Sequence, residues 1–536
     1  MPIADLPDDI LIRVLAEALD RSNPDCDFRH RLPLLGVCRR WRCLALADVY
    51  SRVDVFCDED TSGFGGFGWT NAPQSHVISN ASLVAASGYT GLAKHTRINS
   101  FTSTERLDNI DRVVDVMQAA AAEWSAMQSL EINAYMHSTF LDDDDGVEQH
   151  RQELDNIARS LAKLMPAVRR LEFGHQNFTP LARALSRRVV EPYAVQLEIL
   201  RCDCPYFLSP SYSFPRLREA RINFEEAEGH LRAYMNPATL VKLDISSVLL
   251  DQSWSEYRAH GDSQTIEFPV LEYLTVDYAG CDGYDADGWA DKPAIGTGGW
   301  QLRFPAAKMV SIRCPNGACP VLQQAAFPPK LDELRITGNG PMFEYLARQD
   351  LPVARRLVLQ IDASLGCNAS VIAPINRVLA RARQCEEMAL RLGASWVDVM
   401  PSTYLFAGLH RLSISAPLCG DGLLLLMVKL PQLLALTIDR LTTTSEQAAI
   451  HIPPGGHFSV DPFDTRLRRL SVCMDHDNYT DKHAEVIACY LVLRAPPTTR
   501  LVLSKVPKEP VLRFVEEYSE WHSHLRTVAF TINNSP

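Results

Sequence analysis

The sequence has no long block of lysine and arginine to offset its formal net charge of −12. A nucleic-acid backbone is therefore a disfavoured partner, because binding one needs a basic footprint that displaces counterions. Long apolar runs are missing as well. Runs such as Leu423–Val428 fall far short of the roughly 20 residues that span a bilayer, so no membrane span is expected. The opening stretch, Met1 to Leu15, has Asp5, Asp8 and Asp9 where a secretory signal has basic residues, and Arg13 interrupts its apolar positions. The fourteen cysteines show no short regular spacing, which argues against a disulfide scaffold. These absences predict an intracellular chain with reduced thiols, cytoplasmic, nuclear or both.

What is present is globular in composition, 46% apolar and 22% charged, so disorder is not the default. At roughly 100–200 residues per domain, two to four units or one extended repeat array would fit the length. A short pattern recurs from residue 125 to the C-terminus: often Pro, then apolar residues two, five and seven positions on. Its clearest copies are Pro269–Val276, Pro329–Ile336 and Pro431–Ile438. Others centre their fifth position on Leu130, Leu171, Leu197, Ala220, Leu243, Val310, Leu357, Met388, Leu412, Leu470, Leu501 and Val528, giving fifteen copies 23 to 41 residues apart.

The sixth position, which the pattern leaves free, runs Glu131, Glu172, Glu198, Arg221, Asp244, Thr275, Ser311, Arg335, Val358, Ala389, Ser413, Thr437, Ser471, Val502 and Ala529. Four of these are apolar, against about seven expected from composition, and such alternation marks a short strand with one buried and one wet face. Between the strands lie segments of helical period. Val147–Met165 sets Leu154, Ile157, Leu161 and Leu164 on one stripe; Leu107–Trp124 and His483–Leu493 behave likewise. Strands joined by helix-bearing connections predict parallel pairing. A wet strand face with helices on the other side predicts a solenoid; an ordinary α/β domain with short strands is the competing architecture. The unit resembles that of leucine-rich repeats over about three quarters of the chain. Asn339 and Asn533 fall at the place where that family carries Asn or Cys. Most copies lack it and the lengths vary, so an irregular array is expected over residues 91–536.

The N-terminal stretch predicts two helices. In Leu6–Leu15, Pro7 suits a first turn and Asp8 and Asp9 sit near the positive end of the helix dipole. Leu11, Leu15, Ala18 and Leu19 form an apolar stripe that Ile10 and Val14 widen. After the polar stretch Asp20–Arg31, residues Leu32–Leu46 repeat helical spacing and contain Val37-Cys38-Arg39-Arg40-Trp41-Arg42. Together these residues resemble an F-box over residues 1–55. The resemblance implies a small helical bundle docking on the Skp-type adaptor of a cullin–RING ubiquitin ligase, with Leu6, Pro7, Ile10, Leu11, Val14, Leu15 and Trp41 at or behind the contact. A bundle this small with apolar faces is expected to need a partner. The competing reading packs the same residues against the repeats. Residues 56–90 read as a linker with a Gly-rich loop.

No catalytic constellation is legible. Gly63, Gly65 and Gly68 fit G-x-G-x-x-G, and Val53–Phe56 could be a preceding strand, but turn residues follow where a dinucleotide site needs a helix. Asp285-Ala-Asp287-Gly288 has Gly283 and Ala294 at the outer ligand positions of a calcium loop. Asp142–Asp145 reads as a solvated loop. Cys202-x-Cys204 and Cys314…Cys319 lack zinc spacing, and His522 and His524 fall on different helix faces. No metal or cofactor is expected, and no enzyme. The expected function is that of a substrate receptor whose wet strand face holds a protein target, with Arg221, Asp244, Arg313, Arg335, Arg391 and Arg411 as candidate contacts. The alternative is a non-degradative repeat scaffold whose N-terminal bundle only caps the array; a weaker third reading is an enzyme using Gly280–Gly299 as a substrate loop.

Overall fold

Alternating burial forces extended backbone at the repeat copies, and the computed structural model has a strand at each of the fifteen. The structure describes residues 50–58, 76–102, 108–136, 150–174, 180–202, 213–222, 236–246, 265–277, 301–314, 325–348, 351–361, 372–381, 384–392, 408–419, 423, 430, 432–442, 466–474, 491–492, 499–504, 508–518 and 529–533. Residues 1–49, the Gly-rich loop, the acidic run and the 280–299 insertion lie outside these residues. So does His483–Leu493, apart from the helical Leu491 and Val492, both buried. Residues 52–58, 76–79 and 81–86, read above as the end of the F-box-like segment and as linker, form two strands and a helix. The chain divides into two units, Met1–Ala259 and His260–Pro536, a division that falls inside the 91–536 stretch read above as one domain.

The first unit holds β1 (Arg52–Asp58), β2 (His76–Ser79), α1 (Ala81–Ala86), β3 (His95–Thr102), α2 (Asp108–Ala120), β4 (Ser129–Met136), α3 (Arg151–Leu164), β5 (Arg170–Gly174), α4 (Pro180–Val190), β6 (Ile199–Cys202), β7 (Glu219–Ile222) and β8 (Lys242–Ser246). Strand β2 pairs antiparallel with β1; β1 pairs parallel with β3, and each strand from β3 to β8 pairs parallel with the next. Two strands of the parallel ladder, β1 and β3, therefore precede the first repeat found by pattern. In β3 the fifth position is Thr96, aligned with Leu130, and this polar residue in a leucine place hid the copy.

The second unit holds β9 (Thr265–Glu267), β10 (Tyr273–Asp277), β11 (Gln301–Arg303), β12 (Met309–Cys314), β13 (Ala325–Ala326), β14 (Leu331–Gly338), α5 (Gly340–Leu346), β15 (Ala354–Ile361) and α6 (Ile372–Arg381), continuing with β16 (Glu387–Arg391), β17 (Arg411–Cys419), β18 (Ala435–Thr442), β19 (Arg469–Met474), β20 (Arg500–Ser504), α7 (Lys508–Tyr518) and β21 (Ala529–Asn533). Its large sheet runs β10, β12, β14 and then β15 to β21 in chain order, every pair parallel. A small parallel sheet, β9–β11–β13, stands beside these strands in sequence.

Wherever their side chains are described, positions two, five and seven of the copies fill the core. Met127, Leu130 and Ile132 are at most 2% exposed, as are Leu331, Leu334 and Ile336 and Leu467, Leu470 and Val472. Burying each such side chain stabilises by roughly 1.5–3 kcal/mol. Thirteen of the fifteen registers read from the sequence align in the ladder; two are corrected. In β6, Leu200 rather than Leu197 pairs with Leu171. Leu197 is the fully buried second-position residue, so Arg201 and not Glu198 takes the sixth. In β21, Phe530 rather than Val528 pairs with Leu501, and Thr531 stands where Ala529 was expected. Either leucine-like residue satisfies a local apolar spacing; hydrogen bonding to the neighbouring strand decides between them.

The helical stretches follow their stripes. Leu154, Ile157, Leu161 and Leu164 of α3 are buried, and α2 buries Ile110, Val113 and Met117 against β1, β2 and β3. Asn339 caps α5, its side chain accepting from the Met342 amide at 3.3 Å. Among the described residues no helix is long and apolar enough to cross a membrane.

Candidate interaction surface

Positions four, six and eight of each strand alternate with the buried ones and form columns across the opposite face. In the first unit the sixth-position column runs Asp54, Arg97, Glu131, Glu172, Arg201, Arg221 and Asp244. Charges of opposite sign meet at most of its steps, the like-charged ones being Glu131 with Glu172 and Arg201 with Arg221. Arg52 lies 2.6 Å from Asp54, and Arg97 Nε 2.7 Å from Glu131, although off the line of the N–H bond. Glu172 accepts from Arg170 at 2.9 Å, with Arg201 3.7 Å away. Beside them Asn133 donates to Asn99 at 2.7 Å and to Glu131 at 3.0 Å. Gly174 makes room for that amide, since a Cβ there would fall 1.8 Å from Asn133 Oδ1.

In the second unit the fourth-position column carries Glu333, Arg356, Glu387 and Arg411 on successive strands. Glu333 accepts from Arg335 at 2.9 Å and pairs with Arg356 at 3.2 Å; Glu387 lies 3.1 Å from Arg411 and 3.4 Å from Arg355. The sixth-position column carries Arg335 among smaller residues, Ser311, Ser413, Thr437 and Ser471, with Val358 and Ala389 buried. Ser415 donates to Asp439 across β17 and β18. Just before the strands, Lys308 meets Glu272 at 2.8 Å and Lys330 meets Glu386 at 2.6 Å. The hydrogen bond from Lys330 holds the Glu386 carboxyl below the usual carboxylate range, and that to Glu272 pushes the Lys308 ammonium up. Solvent screens exposed pairs of this kind, so they orient side chains more than they hold the fold.

The six candidate target contacts all lie on strands. Arg221 and Asp244 are register partners in β7 and β8, 3.8 Å apart. Arg313 faces Asp277 at 3.7 Å. Arg335, Arg391 and Arg411 stand on β14, β16 and β17, with Arg391 and Arg411 exposed. Pattern reading missed Arg52, Arg97, Arg201, Arg356, Arg469 and Arg500. The fourth-position residues among them directly precede each repeat centre, a position that contributes only Arg411 to the six candidates. The seven candidate adaptor contacts, Leu6, Pro7, Ile10, Leu11, Val14, Leu15 and Trp41, lie outside the described residues.

Among the described residues no three His, Cys, Asp or Glu side chains gather as a metal site requires. Cys57, Cys202, Cys314 and Cys385 are buried thiols, serving as small apolar residues in the core. Compared with protein-family models and with curated proteins, the sequence matches none.

Proposed function

We propose that the chain is the substrate-receptor subunit of a Skp–cullin–F-box ubiquitin ligase, its repeats forming an irregular leucine-rich-repeat solenoid. The observation that carries this reading is the joint presence of the Leu6-Pro7…Leu15 and Val37–Arg42 motifs and, behind them, successive parallel strands with one polar face. Residues 1–55 would bind the adaptor through Leu6, Pro7, Ile10, Leu11, Val14, Leu15 and Trp41. The polar strand face would hold a protein target, with Arg221, Asp244, Arg313, Arg335, Arg391 and Arg411 among its contacts. Tethering turns ubiquitin transfer into a local encounter at an effective concentration on the order of millimolar. No chemistry is asked of this chain; the partner enzymes supply it.

The second reading is a non-degradative scaffold in which the N-terminal bundle only caps the array. The start of β1 at Arg52 favours it, because the chain enters the sheet before residues 1–55 have ended. Co-purification with the adaptor separates the two. The full chain captures the adaptor, whereas a chain lacking residues 1–49, which keeps β1 whole, or one carrying Leu11→Glu with Trp41→Ala, does not. Adaptor capture by the folded double variant at wild-type strength removes the proposed docking surface.

A further inference from the structure

Opposite charges alternate along the fourth-position column of the second unit from Glu333 of β14 to Arg411 of β17, and the neutral Ala435 of β18 separates them from β19. There Arg469 and Arg500 are register partners on neighbouring parallel strands, about 5 Å apart along the hydrogen-bonding direction. Both are exposed, as are Arg466 and Arg468 just ahead of β19. The flanking residues of the column are Ala435 and Ala529, and the sixth-position neighbours are Thr437, Ser471, Val502 and Thr531. Among the described residues neither Arg469 nor Arg500 forms an ion pair; Asp439 of β18 lies where the register with β19 shifts and accepts from Ser415.

Like charges directly opposite each other destabilise a sheet. Elsewhere on these faces neighbouring like charges have their own counterions: Glu131 has Arg97, Glu172 has Arg170, and Arg221 has Asp244. The cost is left standing at Arg469 and Arg500, in a chain whose formal net charge is −12. A pair that opposes folding in the free protein is what an anion-binding surface requires. We infer that the β19–β20 end of the polar face binds an extended acidic peptide segment of the target. This rests on the reading of that face as the target surface and adds the chemistry of what it takes. Alternate side chains of an extended peptide stand roughly 7 Å apart, so carboxylates two residues apart reach both guanidiniums, and Arg466 and Arg468 extend the field.

The test uses the full chain and a fluorescein-labelled octaglutamate peptide, with octaglutamine as its neutral counterpart. Octaglutamate is expected to bind, and to bind less as salt is raised. Arg469→Glu with Arg500→Glu weakens it about tenfold or more, while Arg348→Glu, an exposed site beyond α5, leaves it unchanged. Equal binding of octaglutamine, no loss in the double variant, or tighter binding of a labelled single-stranded oligonucleotide overturns the inference. Thermal unfolding supplies a readout that needs no ligand. Arg500→Glu alone turns the like-charged pair into an ion pair, so its Tm equals or exceeds wild type, and a clear fall sinks the argument. Adaptor capture, scored on the same preparations, is untouched by these substitutions, so this inference and the ligase reading fail separately.

Discussion

Thr96 occupies a place that leucine, valine or methionine fills in most other copies, and it is 2% exposed with no hydrogen-bond partner for its hydroxyl. A buried hydroxyl left unsatisfied costs about 1–3 kcal/mol. Thr96→Val keeps the branched shape and removes the polar group, and its register neighbours Val53 and Leu130 are apolar. The substitution is expected to raise unfolding free energy in urea by about 1 kcal/mol; a lower value means that the hydroxyl is satisfied. Cys385 holds the second position of the β16 copy, 3% exposed, and burial pushes its thiol up to about 11. A raised thiol pKa contributes stability below its unfolded value, and that contribution is lost as pH rises through the folded one. Iodoacetamide at pH 8 should therefore leave Cys385 unmodified in the folded chain and alkylate it in urea, as peptide mass mapping reads directly.

At the scale of the element, the small sheet of the second unit carries a stack of rings. Phe304 lies between Phe268 and Phe327, with centroids 5.3 and 5.7 Å away and planes tilted by 24° and 20°. Such offset pairs add about 0.5–1.5 kcal/mol to the area they bury. Phe304 is 1% exposed, so Phe304→Ala removes both contacts and leaves a cavity. The expected loss is about 3–5 kcal/mol, measured by urea unfolding of the full chain. A loss below about 1 kcal/mol would show the stack to be decoration on the strands. Space matters as much at the strand ends. A Cβ at Gly338 would lie 2.7 Å from the Cys314 carbonyl oxygen and 2.8 Å from Met342, so β14 passes into the Asn339 cap only with glycine there.

For the whole molecule, charge organises the surface far more than it holds the core together. Glu386, with its carboxyl held low by Lys330, contributes stability above the unfolded carboxylate pKa of about 4.3 and loses it as pH falls through its lower folded value. Lys308, raised by Glu272, contributes below the unfolded lysine pKa of about 10.4 and loses it as pH rises through its higher folded value. Tm should accordingly be flat between these limits and fall beyond them, and Lys330→Met should shallow the acid limb. An acid limb identical in that variant assigns the loss to other carboxylates. Because both pairs are exposed, solvent keeps each effect small.

The sequence by itself determined that short strands recur, that their connections make them parallel, and which face of most of them is buried. These follow from covalent geometry, in which side chains alternate along a strand, and from the apolar residues that must leave water. It could not place β3, where a threonine broke the pattern, nor choose between Leu197 and Leu200 or between Val528 and Phe530. Those choices belong to the tertiary structure, because register is a matter of which backbone groups bond across strands, and neighbouring apolar residues satisfy the local spacing equally well. The same holds for the polar face. Arg469 and Arg500 are 31 residues apart in the chain and become neighbours only through the pairing of β19 with β20. Whether a charge meets its opposite or its like is fixed by that alignment, and no local sequence window contains it.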